Sequence, residues 1–431
     1  MASAREAQPG WAAMPGVRRG EILHAVANLI EAHRQELAGI VALEAGKRMS
    51  DALGEASAAI QCARFFAGEG QRLFGRTMTS GAPHRWAMTV RRPCGVAGLI
   101  TAANTPAPNF AWKVFPALIC GNGVVLKPAE DTPASAWFMA KTAEEAGLPK
   151  GLLNLVHGLG AEVGPPLVVH PDVDVVSFTG STRVGREIAE SAGKLLKKVS
   201  LELGGKAASV VLDDADFEKA VRASVNHSVI NCGQTCASWT RLLVPRARQA
   251  EAMAIAKDEA EKLTLGDPSL GQARLGPLVS AQQRERVRGY IRRGLEEGAT
   301  LVTGGVEPPP GLERGFYVRP TVFADVTPRM AIAQEEIFGP VLAILPYQDE
   351  DEAVRIANDT IYGLGGAVWS RDPERARRVA RRIRTSQIDV NGAPFNPLAP
   401  FGGVKQSGNG RELGRYGLEE YLEPKALQLE P

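Results

Sequence analysis

From residue 121 onward the chain alternates between two hydrophobic periodicities, and few architectures accept that alternation over so long a stretch. Apolar runs at 123–127, 152–157, 173–178 and 198–202 predict strands, and three-and-four spacing over 133–146, 162–169 and 181–191 predicts the helices between them. Such strand–helix–strand units build a parallel sheet that takes ligands at the carboxyl ends of its strands. A second series follows, with strands near 208–212, 241–244, 321–323, 340–347, 365–369 and 386–390 and helices at 249–262, 281–297, 352–358 and 373–383. The expected fold class is α/β, with two doubly wound α/β domains and Cys236 near the cleft between them. Upstream, 17–48 predicts two amphipathic helices and 51–74 a third. Residues 76–80 and 85–92 alternate like a polar hairpin, a small β arm on the surface, and 95–100 reads as a buried strand.

Composition excludes several classes of function. The 431 residues suffice for two or three domains, and a formal net charge of +2, with basic residues scattered among acids, asks for no nucleic acid. The longest apolar region, 96–126, is interrupted by Asn104, Pro106, Pro108, Asn109, Lys113 and Pro116, so no transmembrane segment and no membrane partner is expected. The first residues, Met1 to Glu6, lack the apolar core of a signal peptide, and a reducing cytoplasm is the expected compartment. Five cysteines at irregular spacing fit free thiols better than a disulfide framework. Cys232 and Cys236 have no matching second pair of ligands, so no metal is expected.

Candidate chemistry gathers in a few short stretches. Gly233-Gln234-Thr235-Cys236 is a small-residue turn between apolar segments that end at Ile230 and resume at Leu242. Its thiol is either a small core residue or a nucleophile within reach of a substrate. Glu202, between Leu201 and Leu203, is either exposed or kept for proton transfer, because burying an ionised carboxylate is costly. Gly180-Ser181-Thr182 ends a strand and opens a helix, which suits a plain N-cap or a pyrophosphate, although Gly-x-Gly-x-x-Gly is absent there. The nearest approach to that fingerprint, Gly158-Leu159-Gly160 followed by Gly164, has one residue too many. Lys127 and Glu130 leave a strand as a solvated pair or, if the Gly180 turn holds a dinucleotide, as partners for ribose hydroxyls; the carboxylate would then repel a 2′-phosphate. Asn104 satisfies a local turn or donates to an oxyanion. Glu335-Glu336 is ambiguous alone.

Together these stretches resemble the aldehyde dehydrogenase superfamily over nearly the whole chain. The nucleophile motif stands as Gly233-Gln234-Thr235-Cys236 and the glutamate motif as Leu201-Glu202-Leu203-Gly204-Gly205-Lys206. Lys127-Pro128-Ala129-Glu130, Phe178-Thr179-Gly180-Ser181-Thr182, Glu335-Glu336-Ile337-Phe338-Gly339-Pro340, Pro400-Phe401-Gly402-Gly403 and Gly408 to Gly414 follow in the family's order. The resemblance implies oxidation of an aldehyde to an acid through a thiohemiacetal and a thioester on Cys236. Asn104 and the Cys236 amide would hold the oxyanion, Glu202 would activate water, and Lys113 and Glu412 would relay protons. It implies NAD as cofactor, with NADP as the alternative, held by Lys127, Glu130, Gly160, Gly180, Ser181, Gly185, Leu203, Glu336 and Phe338. Asn104 is followed by Thr105 and Pro106 where the family usually has aromatic neighbours, so the expected substrate lining reduces to Trp112, Ile230 and Phe395.

The same resemblance divides the chain into an NAD-binding domain (1–75 and 93–203, with 404–420 returning to it), a catalytic domain (204–403) and an oligomerisation arm (76–92 and 421–431). A homodimer or homotetramer is expected. Residues 4–11 resemble the helix that follows an initial strand pair in the family, so the expected cofactor domain lacks that pair and exposes a sheet edge. A relative that passes the acyl group to coenzyme A, or a truncated silent member with a structural role, are the alternative readings.

Overall fold

The computed structural model describes residues 1–271 and 273–429. It contains three sheets. In the first, Leu153–Leu155, Gly123–Lys127, Val96–Ile100, Val175–Thr179 and Lys198–Glu202 lie side by side in parallel. The short strand Gly408–Asn409 returns antiparallel onto Lys198–Glu202, pairing Gly408 with Glu202. Val96–Ile100 is the topological switch point, since the strand following it in sequence lies on one side and a later one on the other. Its last residue pairs with both Lys127 and Phe178, so the loops leaving Ile100, Lys127 and Thr179 diverge from one edge. That divergence opens the crevice in which doubly wound sheets bind ligands.

The second sheet has seven strands in the order Thr300–Thr303, Thr321–Ala324, Val341–Tyr347, Arg241–Pro245, Ala208–Val211, Gly366–Trp369 and Asp389–Val390. All pairs are parallel except the first. Side chains on a strand alternate between faces. Accordingly Val341, Ala343 and Leu345 enter one apolar cluster and Leu342 and Ile344 the other. The third sheet joins the hairpin Thr77–Thr79 and Trp86–Pro93 to the terminal strand Leu422–Leu429. Residues 430 and 431, the end of the expected arm, lie outside the described residues.

Helices Gly16–Ala32, Arg34–Ala45 and Met49–Glu69 pack with a further helix, Pro106–Ile119, in one apolar cluster that includes Leu23, Ile30, Phe66, Phe110 and Phe115. The sequence reading has no helix at 106–119. Its prolines read as breaks, yet Pro106 and Pro108 fall in the first turn, where the missing N–H costs nothing, and burial on nearly every side removes the amphipathic signal. Helix Phe217–Ser228 and edge strand Thr300–Thr303 are likewise additional, and the strand expected over 386–390 shortens to Asp389–Val390. No helix among the described residues is long and apolar enough to cross a membrane. Among the same residues no cluster of three or more His, Cys, Asp or Glu could hold a metal ion.

Candidate active site

The helix Thr182–Gly193 starts directly beyond Thr179, at the switch-point edge. Ser181 caps it by accepting from the Val184 amide at 3.4 Å, and the Gly180 amide donates to the Glu202 carbonyl at 3.0 Å. Gly185 packs against the strand beside it: a Cβ there would lie 2.5 Å from Leu203 Cδ2. Here the absence of a side chain lets the helix approach the sheet and present its first amides to the crevice.

Cys236 reaches the crevice from the other sheet. Before it the chain runs through three left-handed residues, Asn231 (φ 52°), Cys232 (φ 57°) and Gly233 (φ 74°). Two of these are not glycine, and each costs on the order of 1 kcal/mol or more to hold there. Side chains hold the turn closed. Asn231 Nδ2 donates to the Gln234 carbonyl (3.1 Å), Gln234 Nε2 donates back to the Asn231 carbonyl (3.1 Å), and Gln234 Oε1 accepts from the Val279 amide (3.0 Å). At Gly233 a Cβ would lie 2.1 Å from the Gly339 carbonyl oxygen, so only glycine admits the 335–340 loop beneath the turn. The sequence marks Gly233 and Cys236 but gives no hint of Asn231 or Gln234 as clamps.

One cavity of about 180 Å³ is lined by Asn104, Gly180, Ser181, Glu202, Leu203, Cys236, Glu336 and Phe338 together with Ala102, Thr179, Gly204, Gln283 and Arg286. Eight of the expected site residues therefore meet at one place. Asn104 donates from Nδ2 to the Gln234 carbonyl at 3.0 Å, which aims one amide hydrogen at the nucleophile turn and leaves the second for the cavity. Glu202 is buried, neither carboxylate oxygen has a hydrogen-bond partner, and a Cβ on Gly402 would lie 2.6 Å from its Oε1. Burial, followed by the neighbouring charge of Glu412, holds the Glu202 carboxyl well above the usual carboxylate range. Beyond it the fully buried Lys113 donates to Glu412 Oε1 (2.6 Å) and Ser177 Oγ (2.9 Å).

Glu336 is fixed from the other side. Its Oε1 accepts from the Gly205 amide at 3.0 Å, and a Cβ on Gly204 would lie 2.4 Å from its Oε2. Burial pushes it up to about 7. The Cys236 thiol is raised above its ordinary value by burial and then by Glu336 and Glu202, while its own amide and that of Ala237 pull the other way. So small a cavity with two carboxyls and a thiol favours few negative charges at a time.

Other expected residues lie outside this cavity. Lys127 Nζ donates to Glu130 Oε2 at 2.5 Å and the Gly160 amide to Glu130 Oε1 at 3.1 Å, which brings those three together along the same sheet edge. Trp112 and Phe395 stack at 6.4 Å between centroids, and Phe401, which the sequence reading gave no lining role, completes an aromatic trio at 5.4 and 6.2 Å. Phe395 is 50 % exposed, and so is Ile230 at 42 %, beside the left-handed turn. Two polar cavity residues on a helix outside every sequence motif were missed, Gln283 and Arg286 on Ala281–Glu296. They donate to the carbonyls of Phe338 (2.8 Å) and Glu336 (2.7 Å) and so hold the loop that carries the acid. Their helix reads in sequence as an ordinary polar surface.

Fold and site together define a class of protein: a doubly wound α/β molecule in which a thiol and a buried carboxyl face the ligand-binding end of a parallel sheet. The aldehyde dehydrogenase family model matches residues 1–427. The 3-succinoylsemialdehyde-pyridine dehydrogenase of a Pseudomonas species is 45 % identical over 426 residues, 99 % of this chain and 88 % of that protein. Betaine aldehyde dehydrogenase of Bacillus subtilis is 42 % identical over 417 residues, 96 % of this chain and 85 % of that protein. A solved mutant of aldehyde dehydrogenase C from Pseudomonas syringae, complexed with NAD+ and octanal, has a TM-score of 0.96 at 44 % identity and covers 99 % of this chain and 87 % of that one. The chain belongs to the aldehyde dehydrogenase family, as the seven motifs led one to expect.

Proposed function

We propose that this protein oxidises an aldehyde to a carboxylic acid with NAD, through a thiohemiacetal and then a thioester on Cys236, and that water activated by Glu202 releases the acid. The observation that carries this reading is the meeting of Cys236, Glu202, Asn104 and the Gly180–Ser181 helix start in a single cavity. The residues present fit the cofactor: the Gly185–Leu203 contact bares helix amides for a pyrophosphate, Glu336 lies against Gly205, and Lys127 and Glu130 offer a donor and an acceptor to a ribose. Solved relatives hold NAD+, including betaine aldehyde dehydrogenase of Staphylococcus aureus. Bound there, NAD supplies the hydride acceptor.

The remaining roles belong to the chain. The Cys236 sulfur adds to the aldehyde carbon, and the negative charge that develops on oxygen is met by the Asn104 amide and the Cys236 backbone N–H. Glu202 then takes a proton from the attacking water. Its raised affinity for protons makes it the stronger base once ionised, and Lys113 with Glu412 gives that proton an onward route. The Glu130 carboxylate, next to Gly160, disfavours a 2′-phosphate and supports NAD over NADP. Trp112, Phe395 and Phe401 line the approach of the aldehyde. The water-activating Glu202 argues for hydrolysis rather than transfer to coenzyme A.

Mixing the protein with NAD and a panel of aldehydes produces NADH, and Cys236→Ala removes at least roughly 10³-fold of that activity while NAD binding persists. Activity that survives the substitution overturns the proposal.

A further inference from the structure

Lys47 has no part in the chemistry above, yet it is buried directly behind it. It follows Gly46, whose left-handed φ of 66° ends the helix Arg34–Ala45, and its amide donates to the Ala42 carbonyl at 3.1 Å. The turn is pressed onto a distant segment: a Cβ on Gly46 would lie 2.8 Å from Pro277 Cγ, and one on Gly276 would lie 2.1 Å from the Gly46 oxygen. That segment also anchors the nucleophile turn, since the Gly276 carbonyl accepts from Cys232 Sγ at 3.2 Å. From this position Lys47 Nζ donates to Glu55 Oε1 and to the backbone carbonyl of Asn104. The same carbonyl accepts from Asn231 Nδ2 at 2.8 Å. Asn104 is thus gripped at both ends, by Lys47 and Asn231 on its carbonyl and by the Gln234 carbonyl on its side-chain amide.

A buried ion pair is weak evidence for stability, because desolvation offsets most of the attraction. The side chains of Lys47 and Glu55 are only 5 % and 12 % exposed, and the second oxygen of Glu55 has no partner. What the pair does is hold one carbonyl. Residues 101–105 lie between a strand and a helix; the Thr101 amide donates to the Lys127 carbonyl and the Thr105 carbonyl accepts from the Asn109 amide, while the Asn104 carbonyl between them is held by side chains. We propose that Lys47, braced by Glu55, is a positioning residue for the oxyanion site: its hydrogen bond to the Asn104 carbonyl sets where the Asn104 amide points over Cys236. The inference rests on the oxyanion role proposed for Asn104.

A double-mutant cycle on the full chain tests it, with single-turnover NADH formation, the KM for NAD and the thermal midpoint as readouts. Asn104→Ala slows NADH formation by roughly 10²-fold or more. Lys47→Met slows it by roughly tenfold to a hundredfold, as expected for a displaced catalytic group, and leaves the KM for NAD unchanged. Lys47→Arg, which still reaches both acceptors, recovers most of the rate. Combined with Asn104→Ala, Lys47→Met adds no more than about twofold, because its only route to the rate runs through that amide. Replacing the pair together, Lys47→Met with Glu55→Leu, leaves no unpaired buried charge, keeps the midpoint and is slowed like Lys47→Met; it carries the cycle if the single variant does not fold. Multiplying losses, a wild-type rate in Lys47→Met, or a raised KM for NAD overturns the inference while Asn104 keeps its role. A wild-type rate in Asn104→Ala removes both.

Discussion

At the scale of single residues the site is governed by charge crowding. Cys236, Glu202 and Glu336 share one small cavity; burial pushes each toward its protonated form, and the two carboxyls push the thiol further. An acid whose pKa is raised is ionised only at higher pH, so the nucleophile becomes available on the alkaline side. Glu336→Gln keeps an acceptor for the Gly205 amide but deletes one negative charge. The pH midpoint of Cys236 alkylation by iodoacetamide therefore moves downward in that variant, and the rate at pH 8 rises several-fold; an unchanged profile contradicts the electrostatic account. Legibility at this scale is uneven. Cys236 and Glu202 stand out in sequence because a thiol in a glycine turn and an acid between leucines are locally anomalous. Lys47, Asn231 and Gln234 do not, because a lysine past a helix end or an amide in a turn has an ordinary local explanation, and only long-range contacts show their partners.

At the scale of elements, the strand Arg241–Pro245 is tied to its neighbours by its first side chain. The buried Arg241 donates to the carbonyls of Lys206 (2.9 Å), Ile356 (2.8 Å) and Ala357 (2.8 Å), the last two lying in the final turn of the helix Glu350–Asn358, where Ile356 also accepts from the Asp359 amide at 3.2 Å. Burial lowers the guanidinium to about 10, still charged at neutral pH. Arg241→Met removes three buried hydrogen bonds and lowers the thermal midpoint, a loss on the order of 3 kcal/mol. Arg241→Lys recovers less than half, since one ammonium cannot reach three acceptors; an unshifted midpoint in either variant contradicts this role. The alternating strands and helices of both sheets were legible because their periodicities differ. Helix Pro106–Ile119 was not, because a helix buried on nearly every side has no period to read.

At the scale of the whole molecule, three sheets place one crevice between strand ends of the first and the turn that carries Cys236. The third sheet leaves the terminal strand Leu422–Leu429 paired only with Trp86–Pro93 among the described residues, so its other edge is free to pair. Met78 and Trp86 are exposed on the same small sheet. Light scattering of the full chain gives a dimer or tetramer, and removal of residues 422–431 lowers the assembly state; a monomeric full chain contradicts the arm's proposed role.

In the proposed reaction Cys236 carries the acyl group and the buried Glu202 carboxylate removes it. Glu202→Gln separates those two steps. Mixed with NAD and excess aldehyde, this variant is expected to form about one NADH per subunit in a burst and then to slow by roughly 10²-fold or more. Intact-mass analysis then finds each chain heavier by the aldehyde less two hydrogens, with the adduct on Cys236. Sustained turnover at the wild-type rate, or an adduct on any other residue, would contradict the account.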